Sequence, residues 1–316
     1  MSVTPDVTAV IVSWNTVDLL DSCLTSLRDH GAPGRTIEAI VVDNGSTDGS
    51  AAMVRERWPE VTLLANDDNV GFCRANNQAI ALSKAPYLLL INADARLTPG
   101  CLDHLLQRME SDERAAVVAP RLEYGDGGFQ RWTAGRAPSL SSVASYLFAV
   151  DRLDRRFPGL AGTYLGHDTP VAFRPDWVSS ACMLVRQAAV DDIGPLDDSI
   201  FVYMDDVEFC QRARDHGWTI WYEPAATSVH LMGQSTKRRT GTASPEALRA
   251  FNRYFLGRHG RSRTTAMRAL QVGGFGLRAV AYGAAGLVFH DDDRRAQARS
   301  HLSHLKLSLE IPEVAA

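Results

Sequence analysis

The chain lacks the features that would place it in several common classes. No CxxC pair occurs, and the five cysteines, Cys23, Cys73, Cys101, Cys182 and Cys210, are scattered and odd in number. That argues against a structural zinc site or a disulfide framework and suits reduced thiols in a cytoplasmic protein. Basic residues are not in excess. The 33 Lys and Arg stand against 37 Asp and Glu, a formal charge of −4, so no nucleic-acid partner is expected. No apolar run reaches the roughly 20 residues that span a bilayer. The start, MSVTPDVTAVIVSW, has neither the basic region nor the cleavage pattern of a signal peptide. No GxGxxG follows the first apolar run; its turn, SWNT, puts Trp14 where a dinucleotide fold needs glycine. A GxxxxGK[ST] phosphate loop is missing too.

What is present is ordinary globular composition: 316 residues, 45% hydrophobic and 22% charged, enough for one large α/β domain or two smaller ones. VTAVIVS (7–13), residues 38–42, 61–65 and YLLLI (87–91) read as short buried strands. Helical spacing follows them at 18–28, at about 50–58 with Ser46 or Thr47 as cap, after NVGF, and at 100–110, which Pro99 opens. The alternation predicts an α/β fold with a parallel sheet covered on both faces. Residues 121–175 are less regular. WVSSACMLV (177–185) resumes as one strand, a helix begins near Asp205, TIWYEP is a last strand, and 244–310 is helical. VGGFGLRAVAYGAAGLVF (272–289) suits a packed helix or one lying on a membrane surface.

In such sheets, ligands bind beyond the carboxyl ends of the strands. Ser13, Trp14 and Asn15 follow the first strand, Asp43 the second, and Asn92 and Asp94 the fourth. A single Asp after an apolar strand is usually a turn residue. A row of polar strand ends makes it a candidate site carboxylate. Asp205 and Asp206 could cap the helix they open, but two beside Glu208 exceed what a cap needs.

The ordered set VIVSWN, VVDNGSTDGS, NVGFCRANNQAI, LLLINADA, WVSSACMLVR, FVYMDDVEFCQRARDHGW and SVHLMGQST resembles the inverting family 2 glycosyltransferases of GT-A fold, a Rossmann-like nucleotide-sugar-binding mixed sheet flanked by helices. Within them it is most similar to bacterial rhamnosyltransferase-type members. The resemblance implies a nucleotide-sugar site of Ser13, Trp14, Asn15, Asp43, Asn69, Gly71, Arg74, Asn77, Asn92 and Asp94. It implies Mg²⁺ or Mn²⁺ on Asp94 and His230, with Asn92 as a weaker neutral ligand where stricter members carry Asp. Asp206 is then the base, and Asp205 orients the acceptor or serves as alternative base. Trp177, Ser180, Lys237 and Arg238 would meet the acceptor; Trp177 reads equally as a core residue and Lys237-Arg238-Arg239 as a solvated charge run.

These residue types suit the chemistry. A divalent cation stabilises charge growing on a diphosphate leaving group. A carboxylate within hydrogen-bond reach takes the attacking hydroxyl's proton. The expectation is a GT-A domain over 1–240 and a helical extension over 241–316 that touches a membrane or a second subunit. The expected partners are a nucleotide-sugar donor, with dTDP-rhamnose the best guess, and a lipid-linked or polymeric glycan acceptor of cell-wall or polysaccharide synthesis. The expected location is cytoplasmic, with the inner face of the cell membrane as a peripheral site. A nucleotidyltransferase and a non-catalytic sugar-binding protein are the alternatives. The first would need a Gly-rich basic phosphate loop after strand one, and the second would be expected to lack the acid pair.

Overall fold

The computed structural model describes residues 4–153, 156–157, 160, 162–165, 167–231 and 244–310. The chain divides into two compact units. The first comprises Met1–Gly135, His167–Phe201 and Asp205–Ser235; the second comprises Arg136–Gly166, Val202–Met204 and Thr236–Ala316. The middle segment 136–166 therefore groups with the C-terminal helices. The elements run β1 (Val7–Ser13), α1 (Val17–His30), β2 (Ile37–Asn44), α2 (Ser50–Arg57), β3 (Thr62–Asn66), α3 (Phe72–Ile80), β4 (Tyr87–Ile91), β5 (Ala95–Leu97), α4 (Cys101–Ser111), β6 (Ala115–Glu123), β7 (Ala134–Gly135) and α5 (Leu140–Leu147). They continue with β8 (Trp177–Val178), β9 (Cys182–Arg186), α6 (Gln187–Ile193), α7 (Asp205–Asp215), β10 (Thr219–His230), α8 (Pro245–Val288) and α9 (Asp292–Leu309).

Eight strands form the main sheet in the order β3-β2-β1-β4-β9-β6-β10-β5. The apolar run of β1 has a structural cause: it lies inside the sheet between β2 and β4, so both its faces are covered and no polar alternation develops. Thr8, its one polar residue before Ser13, is satisfied by donating to Glu38 Oε1 at 2.6 Å. Helix α1 turns Leu20, Cys23, Leu24 and Leu27 into the core, and α4 adds Leu102, Leu105 and Met109. All five cysteines are buried and unpaired.

The sheet is mixed where strand–helix alternation suggested parallel pairing. Strand β9 runs antiparallel to both β4 and β6, and β5 antiparallel to β10. WVSSACMLV is not one strand: β8 pairs with β7 in a separate two-stranded sheet, and Ser179–Ala181 bend the chain into β9. The last strand is also longer than TIWYEP. A shift of register between Glu223 and Thr227 lets β10 continue to His230. Ser46 and Thr47 do not cap α2; Gly49 holds that position at φ 94°, and Asp48 Oδ1 accepts from the Ser50 N–H at 3.0 Å. Likewise Gly100, at φ 76°, stands between Pro99 and the first residue of α4.

In the second unit, Ser139 and Ser142 form a reciprocal cap on α5. Val143 and Leu147 pack with Leu248, Phe255, Met267, Phe275 and Leu307 of α8 and α9. Gly274 permits this closeness: a Cβ there would lie 2.7 Å from that of Leu147. The long α8 is broken at Gly260, where φ 76° and ψ 174° leave the helical region.

Candidate active site

The antiparallel β4–β9 pair organises the site. Ile91 lies opposite Cys182, so the chain leaving β4 at Asn92 meets the chain entering β9 at Ala181. The Asn92 N–H donates to the Ala181 carbonyl at 3.0 Å, and the Ala95 N–H closes a turn on the Asn92 carbonyl at 2.9 Å. That turn holds Asp94, whose carbonyl accepts from the Leu231 N–H at 2.9 Å. Across it, β5 and β10 set Ala95 opposite His230.

The imidazole of His230 thus reaches Asp94, with Nε2 at 3.2 Å from Oδ1. Gln130 fixes what each ring nitrogen does. Its Nε2 donates to the His230 carbonyl at 3.1 Å, which turns its Oε1 towards His230 Nδ1 at 2.8 Å. An amide oxygen only accepts, so Nδ1 carries the hydrogen. In the neutral ring, Nε2 then presents a lone pair to a carboxylate oxygen. Two acceptors at that distance call for a cation or proton between them. The Asn92 Oδ1, buried and without a hydrogen-bond donor, adds a third open acceptor, on the same turn as Asp94. The donor set of one carboxylate, one imidazole and one amide oxygen fits a hard divalent ion that also takes substrate phosphate oxygens. Among the described residues, no group of three or more His, Cys, Asp or Glu side chains is placed to hold a metal ion.

One residue before Ala181, Ser180 ties this turn to the acid pair at the start of α7. Its hydroxyl donates to Asp205 Oδ2 at 2.7 Å, and its backbone N–H points to the Asp206 carboxyl. Asp205 is buried and Asp206 partly exposed. Burial raises Asp206 most, the Asp205 charge adds to it, and the N–H groups of Val207 and Ser180 oppose it; the outcome is a carboxyl pushed up to about 8. Burial raises Asp205 as well, against the Ser180 hydroxyl. Two adjacent acids out of bulk water share one negative charge more readily than two.

The β1 and β2 ends form a second edge. Ser13 pairs in register with Asp43. Asn15, at φ 53°, clips the two loops: its N–H donates to Ser46 Oγ at 2.8 Å and its Oδ1 accepts from the Thr47 N–H at 2.8 Å. Ser46 and Thr47 are thereby spent on this clip, which is why neither caps α2. Trp14 is left 50% exposed beside the clip. Asp43 Oδ2 accepts from the Ser46 N–H at 3.1 Å, while its Oδ1 is buried and unpartnered. An orphaned acceptor next to an exposed indole suits a nucleobase that offers an N–H and a flat face.

Other expected nucleotide residues have structural work in the fold. Asn69 Oδ1 accepts from Asn44 Nδ2 and from the Gly71 N–H, both at 3.0 Å. Asn77 donates to the Leu196 carbonyl at 2.8 Å and to Asp198 Oδ1 at 2.6 Å. Gly71, at φ 94°, admits Phe201: a Cβ would stand 2.8 Å from its ring. Arg74 is exposed on the first turn of α3. Trp177 is buried in β8, 3% exposed, and the Ser180 hydroxyl is committed to Asp205. Lys237 and Arg238 lie outside the described residues. Sequence reasoning did not find Gln130, which sits in the stretch that looked irregular. Its buried amide, 1% exposed, has no local signature because its partner is 100 residues away.

The fold is that of the GT-A glycosyltransferases. A solved structure of GalNAc-T7 with UDP, GalNAc and Mn²⁺ superposes with a TM-score of 0.56 at 13% identity, over 81% of this chain and half of that one. The mannosyltransferase PcManGT of Pyrobaculum calidifontis, solved with GDP-Man and Mn²⁺, gives 0.55 at 17% identity, over 97% of this chain and 86% of that one. The family model for glycosyl transferase family 2 matches residues 8–176, and the chain belongs to that family. It is 31% identical over 243 residues, 72% of this chain and 77% of the relative, to the N-acetylglucosaminyl-diphospho-decaprenol L-rhamnosyltransferase of Mycobacterium tuberculosis. It is 28% identical over 233 residues, 71% of this chain and 42% of the relative, to the pre-mycofactocin glycosyltransferase of the same species.

Proposed function

We propose that this glycosyltransferase transfers its sugar with inversion from a nucleoside-diphosphate donor, dTDP-rhamnose, to a hydroxyl of a lipid-linked or polymeric glycan acceptor in cell-wall or polysaccharide synthesis. The observation that carries the reading is the division of labour across Ser180. On one side stands a carboxylate–imidazole pair whose open atoms suit a cation. On the other stands an acid pair that suits a proton. The activity of the mycobacterial relative, an N-acetylglucosaminyl-diphospho-decaprenol L-rhamnosyltransferase, supports rhamnose and a polyprenyl-diphosphate acceptor.

Asp94, His230 and Asn92 would hold Mg²⁺ or Mn²⁺. The ion, when bound, supplies positive charge at the departing diphosphate. Gln130 accepts the Nδ1 hydrogen of His230 and so holds the ring with Nε2 aimed at Asp94. Asp43 accepts the base N–H at its free Oδ1, and Trp14 lies against the base. Asn69, Gly71 and Asn77 brace the loop and helix α3, from which Arg74 meets the diphosphate. Asp206 takes the proton of the attacking hydroxyl as the new bond forms on the face opposite the leaving group. A single displacement needs one base and no enzyme nucleophile. Asp205, held by Ser180, keeps Asp206 basic enough to accept that proton.

The test is calorimetric titration of the protein with dTDP, UDP, GDP and CDP, each with and without Mg²⁺ or Mn²⁺. Metal-dependent binding of dTDP above the others is expected. Binding of another base would replace the donor, and a folded protein that binds none would remove the donor site altogether.

A further inference from the structure

We propose that the outward face of α8, beyond its Gly260 break, is a docking surface for an anionic lipid bilayer. Helix α8 is apolar on both sides. Met267, Phe275 and Ala279 point into the second unit's core, while Leu277, Val280, Ala284, Leu287, Val288 and Phe289 point outward and are exposed. Val280 is 71% exposed, Leu287 67% and Val288 69%. A helix that is hydrophobic all round is normally covered all round. No charge interrupts this face, since Arg278 turns inward to donate to the Leu147 carbonyl at 2.9 Å. Yet no helix among the described residues is long and apolar enough to cross a membrane, so the face lies on its partner rather than through it.

A second segment extends the patch. The ring of Phe148 stands 3.8 Å from where a Cβ of Gly273 would be, and Phe148, Val150, Leu153 and Phe157 are all exposed. Bulky aromatic and aliphatic groups from two segments make a patch of the kind that marks an interaction site.

Charge decides the occupant. Between Glu246 and Asp291 the sequence holds seven arginines and no Asp, Glu or Lys. Arg263 lies on the same helical row as Leu277 and Val288, at the near end of the stripe, and is exposed. Arg152 and Arg156 border the second segment, the latter stacked on Phe157. Of the acids that follow the stripe, Asp291 caps α9 and pairs with Arg294 and Asp292 pairs with Arg295, while Asp293 is exposed. Apolar side chains at the level of the headgroups, with arginines at the rim, match a surface of anionic phospholipid. A neutral protein partner or a second copy of this chain would not call for the excess of arginine along this helix.

The inference stands apart from the sugar-transfer reading, because its test needs neither donor nor acceptor. The full chain is floated with vesicles of phosphatidylcholine alone and of phosphatidylcholine with phosphatidylglycerol, at low and high salt. Binding to the anionic vesicles is expected, weaker with salt and weak on phosphatidylcholine alone. The double variant V280E/L287E, at exposed positions, should bind on the order of tenfold less or weaker still, with an unchanged circular dichroism spectrum and unchanged nucleotide titration. The charge-reversal variant R152E/R263E should lose the preference for anionic lipid. Flotation of V280E/L287E equal to the parent, or no flotation with either vesicle, overturns the proposal. So does a parent dimer by light scattering that V280E/L287E converts to monomer, which would assign the face to a second copy.

Discussion

The two pairs of the site are built from similar parts and suit opposite guests. Asp94 faces an imidazole whose other nitrogen is already committed to Gln130. Asp206 faces a second carboxyl, Asp205, held by Ser180. Both lie where water is scarce. An aspartate opposite a lone pair invites a cation with more than one coordination position. An aspartate opposite another acid retains a proton until the pH is high. Burial sets how strongly each pair wants its guest, and the neighbour sets which guest it is.

The largest test of this contrast is Asp206→Asn. It should lower transfer on the order of 10³-fold while metal-dependent nucleotide binding stays near the parent's by calorimetry. Parent-like turnover would remove Asp206 as base. His230→Ala should act on the other pair alone, weakening metal-dependent nucleotide binding by roughly 10–100-fold and leaving metal-free binding unchanged. A smaller effect belongs to Gln130→Leu. With Nδ1 no longer held, the ring loses its fixed tautomer, and metal-dependent binding should fall by about tenfold. If Gln130→Leu binds as the parent does, the positioning role is wrong.

The smallest expected effect is on stability. The folded Asp206 carboxyl sits at about 8, whereas an unfolded Asp titrates near ~3.9. Between these values the folded chain keeps a proton that the unfolded chain releases. The contribution is therefore fully present below about 3.9 and is lost as pH rises through about 8. Asp206→Asn has no proton to lose. Its melting temperature relative to the parent should rise by roughly 2–4 °C from pH 5 to pH 9, read by thermal melts at both values. In the parent, transfer should climb with pH towards the same region. A flat difference between the two proteins would mean that Asp206 is not held protonated.

Much of this was legible in the chain. The strands at 7–13, 38–42, 61–65 and 87–91 were readable because buried strands of four to eight apolar residues bounded by turns have few alternatives. The polar row of Ser13, Asp43 and Asp94 followed from strand direction alone. The direction of β9 was not readable. Nothing in CMLVR distinguishes a strand that enters parallel from one that enters reversed, since both bury the same residues. The capping role assigned to Ser46 and Thr47 failed for a related reason: local sequence favours a cap, but Asn15, 31 and 32 residues away, offers the better partner.

The sequence by itself determined the class of fold, the family and the identity of the acids and imidazole at the strand ends, because these depend on local periodicity and on residue order. Only the tertiary structure decided which of them meet. Reversed β9 brings Ser180 between the β4 turn and α7, and the long β10 carries His230 to Asp94. Contacts of this kind are set by the packing of distant segments, and a buried amide such as Gln130 leaves no periodic trace in the chain that depends on it.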